Sequence, residues 1–121
     1  SNVMSHEDMT NWLKTTDANL TYVGEPIGNS LSPRSAQKTT VVFCNERVGN
    51  DCGGNCTVFT GGATCLSAPG TNCLAATSNI GFCDNGGCSY GCNQLSDCAT
   101  PLNNGEFCST PRTESILVFG A

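Results

Sequence analysis

Positive charge is what this sequence most lacks. Five Lys and Arg stand against ten Asp and Glu, for a net charge of −5, and no lysine follows Lys38. Neutralising a phosphate backbone takes clustered Lys and Arg, so nucleic acid is excluded as a partner. Attraction to an anionic membrane surface goes with it. No apolar run reaches the roughly 18 residues of a membrane-spanning helix. Ser1–Met4 shows neither the basic start nor the apolar stretch of a signal peptide, so the expectation is a mature secreted chain.

Histidine is nearly absent too. His6 is the one imidazole, and it sits at the start of a predicted helix with no covalent anchor. A Ser–His–Asp centre needs a placed base, so nucleophilic catalysis is not expected. No Cys-x₂-Cys occurs, which removes the usual zinc and thioredoxin-type redox patterns. A defensin-like framework would need a Cys-x-Cys, also missing. The carboxylate pairs Asp84 and Asp97, or Asp51 and Glu106, fit glycosidase chemistry only if they meet in space. Asp51 and Asp84 lie in the turn-forming strings Asn50-Asp51 and Asp84-Asn85-Gly86, which accounts for them without catalysis. The expectation is therefore a non-enzyme without metal or cofactor.

Aromatic residues number only eight, so a purely hydrophobic core is thin. What the chain has instead is cysteine. All ten fall in one stretch: Cys44, Cys52, Cys56, Cys65, Cys73, Cys83, Cys88, Cys92, Cys98 and Cys108. An even number at this density predicts five disulfides and an oxidising, extracellular setting. Each contributes about 2–4 kcal/mol, enough to offset modest burial. Spacing leaves their pairing open. The first five and last five form two loosely similar halves, with Cys52-x₃-Cys56 and Cys88-x₃-Cys92 each beside a Gly-Gly. Five is odd, so full pairing requires at least one bridge between the halves. Two glycosylation sequons, Asn19-Leu20-Thr21 and Asn55-Cys56-Thr57, agree with a secreted route.

The chain reads as one domain in three parts: a cysteine-free segment 1–38, a bridged body 39–108 and a tail 109–121 ending in an apolar strand. Ser5 is placed to cap a helix with Glu7 and Asp8 in its first turn and Met9, Trp12 and Leu13 on one face, closed by Thr15-Thr16-Asp17. Strands are predicted at Leu20–Val23, Thr39–Cys44, Thr57–Thr60, Ile80–Cys83, around Phe107, and at Ser115–Phe119. Gly24-Glu25-Pro26 and Ser32-Pro33 predict a loop. Short helices are expected over Asn72–Thr77 and Tyr90–Cys98. The sum is a small disulfide-rich α+β domain, an antiparallel sheet with short helices packed on it.

Recognition of a saccharide takes an aromatic face for the pyranose ring, with Asn, Asp and backbone groups for its hydroxyls. Phe59, Phe82, Tyr90 and Phe107 lie near loops rich in Asn, Asp and Gly. Tyr90, between Ser89 and Gly91, is the aromatic expected to be exposed, and Tyr90, Asp84, Asn85 and Phe59 are the candidate ligand-binding residues. Trp12, in line with Met9 and Leu13, reads as core.

The string Cys52-Gly-Gly-Asn-Cys-Thr-Val-Phe-Thr-Gly-Gly-Ala-Thr-Cys65, followed by Ala68-Pro-Gly-Thr-Asn-Cys73, Gly86-Gly-Cys88, Cys92-Asn93-Gln94 and Phe107-Cys108-Ser-Thr-Pro, resembles small secreted cysteine-rich proteins of mushroom-forming fungi. Trp12-Leu13 and Thr16–Gly24 fit the same pattern, so the resemblance spans roughly residues 10–118. It implies an αβα-sandwich-like domain, a homodimer, and lectin activity toward fucosylated or GalNAc-containing glycans or glycoproteins, in a defence role. It assigns no binding residue here. The alternative is a secreted toxin, effector or protease inhibitor acting on a protein, with Ser67-Ala68-Pro69-Gly70 as the inhibitory loop.

Overall fold

The computed structural model describes residues 2–25 and 38–119. Of the predicted loop, Pro26, Ser32 and Pro33 lie outside the described residues.

Helix α1 spans His6–Thr15. The Ser5 hydroxyl accepts from the Asp8 backbone N–H at 3.0 Å, satisfying one of the donors a helix start leaves open. Glu7 and Asp8 meet the positive end of the helix dipole and Lys14 the negative end. At the other end the Thr16 hydroxyl accepts from the Ala18 N–H at 3.1 Å, turning the chain out of the helix and into β1.

Among the described residues eight strands follow: β1 (Asn19–Gly24), β2 (Thr39–Val48), β3 (Asp51–Gly61), β4 (Thr64–Ala76), β5 (Ile80–Cys83), β6 (Cys92–Gln94), β7 (Pro101–Leu102) and β8 (Phe107–Val118). They form one sheet in the order β1-β3-β2-β4-β8-β5-β6, with β7 beside β8. The β1–β3 pair is parallel, so the sheet is mixed, not purely antiparallel as expected. β2 and β3 are joined by a two-residue turn, Gly49-Asn50, where glycine takes the positive φ of 61° that such a hairpin needs.

β4 and β8 are long and irregular. Their register shifts between Ser67 and Thr71 and again before Cys73, where Gly70 (φ 74°) and Arg112 (φ 68°) adopt left-handed conformations. Beyond that bend, Ser115–Val118 of β8 pairs with β5, and β5 with β6. One buried cluster joins Val41, Leu74 and Ala76 from one side of the bend to Ile80, Ile116 and Val118 from the other. The sheet therefore folds back on itself, and its two halves pack face to face. The outer face of the first half carries the second cluster, in which Met9 of α1, with Trp12 and Leu13 beside it, lies on Val42, Cys44, Val58, Cys73, Ala75 and Phe107. The layers run helix, sheet, sheet. β2 lies in the middle, and its first six residues are buried on both faces except for the partly buried Phe43.

The expected αβα arrangement is thus corrected: among the described residues α1 is the one α-helix, and strands form the third layer. Asn72–Ala76, read as helix, is the end of β4. Ala-rich sequence favours a helix, but Cys73–Ala76 is claimed by β2 on one side and, through Cys73 and Leu74, by β8 on the other. Tyr90–Cys98 gives β6 and one 3₁₀ turn, Leu95–Asp97, because Cys92 is drawn into register with Cys83. The strands expected around Phe107 and at Ser115–Phe119 are two ends of the single β8.

All ten cysteines are bridged: Cys44–Cys56, Cys52–Cys73, Cys65–Cys88, Cys83–Cys92 and Cys98–Cys108. Cys44 and Cys56 stand opposite each other on β2 and β3, as Cys83 and Cys92 do on β5 and β6. Cys65–Cys88 is the bridge between halves that the odd count required. No thiol is left as a nucleophile or metal ligand. No helix of the described residues is long and apolar enough to cross a membrane.

Candidate functional site

A cleft of about 740 Å³ opens between the C-terminal end of α1 and the tip of the β2–β3 hairpin. Trp12 forms its apolar part together with Ala18 and the exposed Val48. The indole packs on the buried Phe107 ring, with centroids 4.8 Å apart and planes inclined by 49°, and its partial exposure is toward the cleft. Helical spacing puts Trp12 on the same side of α1 as Met9. Its place in the last turn brings it to the rim of the core.

Polar side chains share the lining with these apolar ones. Asp17 comes from the link between α1 and β1, Asn19 from the start of β1, Glu46 and Asp51 from the hairpin, Asn55 from β3, and Asn103 from a 3₁₀ turn after β7. Asn103 is held on both sides: its Oδ1 accepts from the Cys52 N–H at 2.9 Å and its own N–H donates to Asn50 O at 2.8 Å. On the floor, Gly53 and Gly54 leave the backbone bare. A Cβ at Gly54 would meet Asn45 Oδ1 at 2.5 Å, and its φ is 84°, so glycine is required there. A Cβ at Gly53 would meet nothing within 4 Å, so that position opens into free space.

Among the described residues the cleft carries three carboxylates and no Lys or Arg. Such a surface repels anions and offers acceptors to hydroxyl or amide donors, with an aromatic edge for an apolar ring face. Among the described residues no three His, Cys, Asp or Glu side chains are grouped as a metal site requires.

The sequence-predicted residues lie elsewhere. Asp84, Asn85 and Tyr90 do come together, in the loop between the bridged Cys83 and Cys92. The Asp84 N–H donates to Gly91 O at 3.1 Å and Asn85 Nδ2 to Tyr90 O at 3.5 Å. Tyr90 is 67% exposed. The loop is pinned from beneath, since Ser115 Oγ bonds both the Cys88 N–H and the Asn85 carbonyl. Phe59 does not join this group. It lies on β3, partly buried at the edge of the inter-sheet core, with its ring over the backbones of Gly24 and Gly61. Phe82 is likewise partly buried against that core. Ser67–Gly70 is no loop but the bent middle of β4, with Ala68 1% exposed.

Trp12, Asp17, Glu46, Asp51 and Asn103 were not among the predicted binding residues. The one available signal was Trp12 in the last turn of an amphipathic helix, just before the polar string Thr15-Thr16-Asp17. Asn19 and Asn55, the two sequon asparagines, both reach the cleft. Compared with protein-family models, with curated proteins and with solved structures, the chain matches none of them.

Proposed function

We propose that this protein is a secreted, non-catalytic lectin that binds neutral glycans in the cleft between α1 and the β2–β3 hairpin. The observation that carries the reading is Trp12, anchored on Phe107 and open to a cleft where three carboxylates and three asparagine side chains stand beside Val48 and bare glycine backbone. An indole covers the apolar face of a pyranose, and Asp17, Glu46, Asp51 and Asn103 accept or donate to its hydroxyls. The acidic lining selects against sialylated or sulfated sugars. Five disulfides support an extracellular setting, where such ligands are met. The resemblance to fungal cysteine-rich proteins narrows the ligand to fucosylated or GalNAc-containing glycans and suggests a dimer acting in defence.

The test is a glycan array with the oxidised chain, with and without EDTA. The expectation is binding to neutral glycans that EDTA leaves intact, that Trp12→Ala abolishes, and that Tyr90→Ala leaves unchanged. Binding lost in Tyr90→Ala and kept in Trp12→Ala would move the site to the loop between Cys83 and Cys92. A folded chain that binds no glycan overturns the lectin reading.

A further inference from the structure

The two sequons are neighbours. β1 and β3 run parallel in a register that sets Asn19 beside Asn55, Leu20 beside Cys56 and Thr21 beside Thr57. Two Asn-x-Thr strings, 36 residues apart in sequence, therefore stand side by side, and Asn19 Nδ2 donates to Asn55 Oδ1 at 3.1 Å. Both asparagines are exposed, and both line the cleft that holds Trp12.

They are not equivalent. Asn19 is on β1, which ends the sheet among the described residues. Asn55 is on β3, between β1 and β2; its N–H is held by Asn45 Oδ1 at 2.8 Å, and the next residue, Cys56, is bridged to Cys44. Asn19 also precedes Asn55 during synthesis. Disulfide formation and N-glycosylation share the eukaryotic secretory route, so a chain that acquires five bridges there also meets the oligosaccharide transferase.

We infer that Asn19 and Asn55 form a single N-glycan attachment patch, that Asn19 is the residue modified, and that its glycan overhangs the cleft and shields Trp12. In the transfer, Asn19 Nδ2 displaces the pyrophosphate of a lipid-linked oligosaccharide from the anomeric carbon. A C–N bond forms, the C–O bond breaks with its electron pair leaving on the lipid pyrophosphate, and the one proton lost by the amide passes to a base of the transferase. The bulky sugar then occupies the space beside Asn55. Its effect on ligand binding rests on the cleft being the saccharide site; its shielding of Trp12 does not.

The experiment is secretion of the full chain from a glycosylating eukaryotic host, with intact mass, glycopeptide mapping and acrylamide quenching of Trp12, the sole tryptophan. Thr21→Val and Thr57→Val destroy one sequon each while keeping a β-branched strand residue. The expected result is one glycan per chain on Asn19, lost in Thr21→Val and kept in Thr57→Val. The quenching constant should rise in Thr21→Val. If that variant folds poorly, the wild-type chain made without glycosylation and refolded with its bridges supplies the same comparison. No glycan, a glycan on Asn55 alone, or glycans on both overturns the assignment to Asn19. Equal quenching with and without the glycan overturns the shielding. Loss of all saccharide binding in glycosylated and unglycosylated chains alike overturns the lectin reading and leaves the mapped glycan and the quenching result standing.

Discussion

Trp12 and Phe107 meet ring against ring although they come from opposite ends of the chain, one on α1 and one at the start of β8. Phe107 is fully buried and Trp12 only partly so, so the pair ties the helix to the sheet and fixes one wall of the cleft. Two functions rest on one side chain, and two substitutions separate them. Trp12→Ala should destabilise the domain by about 2–3 kcal/mol, below the range for fully buried large aromatics because the indole is partly solvated. Trp12→Phe keeps an aromatic contact with Phe107 and should cost less than about 1.5 kcal/mol. Guanidinium unfolding measures both, and the extrapolated stabilities should follow that order. A Trp12→Ala chain as stable as wild type would mean the indole does not anchor α1.

Gly53 allows the cleft to be filled without disturbing what surrounds it. Its φ is not positive, and a Cβ there meets open space, whereas Gly54 next to it tolerates no side chain. Gly53→Leu should therefore leave the unfolding midpoint near that of wild type and weaken saccharide binding by at least about tenfold, equivalent to about 1.4 kcal/mol. Gly54→Ala should destabilise the β2–β3 hairpin by more than about 1 kcal/mol, through the clash with Asn45 and Glu46 and the strained φ. Titration by calorimetry alongside thermal unfolding checks both. Undiminished binding in Gly53→Leu would exclude the cleft.

The elements that could be read from sequence are those whose local signals and tertiary fate agree. Ser5, Glu7 and Asp8 announce a helix start, and Thr39–Cys44 is β-branched and buried on both faces, so α1 and β2 lie where the pattern put them. β4 was missed because its second half is small and Ala-rich, and its conformation is decided by β2 and β8, which flank it. The cysteine count required a bridge between the halves, but Cys44–Cys56 and Cys83–Cys92 follow from strand register, which spacing does not encode. The cleft was illegible for a related reason. It gathers Trp12 and Asp17, Glu46, and Asn103 from three separate stretches, and only the packing of α1 on the hairpin brings them together. The Tyr90 loop was legible because it is local, closed by a bridge across only nine positions.

Cys65–Cys88 is the one covalent link between the two sets of cysteines, and it fastens the Tyr90 loop to β4. Replacing both residues with Ala should lower stability by about 2–4 kcal/mol, since it releases the loop of chain between them in the unfolded state. None of the residues lining the cleft belongs to this bridge, so saccharide binding at 25 °C should stay within about twofold of wild type. Thermal unfolding and an affinity measurement on the Cys65→Ala/Cys88→Ala chain test the two halves of the expectation. A parallel loss of affinity would show that the cleft is coupled to the far end of the sheet.

Ser115 shows how that loop is held when the bridge is intact. It is fully buried on β8, facing Cys83 of β5 in register, and its hydroxyl accepts from the Cys88 N–H at 3.0 Å while donating to the Asn85 carbonyl. Ser115→Ala deletes both bonds without changing the shape of the strand, leaving a backbone donor and an acceptor unpaired beneath the loop. A buried polar group that loses its partner costs about 1–3 kcal/mol, so the variant should unfold at a measurably lower guanidinium concentration. The loss should be local as well as global. Amide exchange at Cys88 should quicken relative to the strand amides of β2, because the Cys88 N–H then opens to solvent without breaking the core. Unchanged exchange at Cys88 would mean the loop is held by Cys65–Cys88 and Cys83–Cys92 alone, with the hydroxyl contributing nothing to its position.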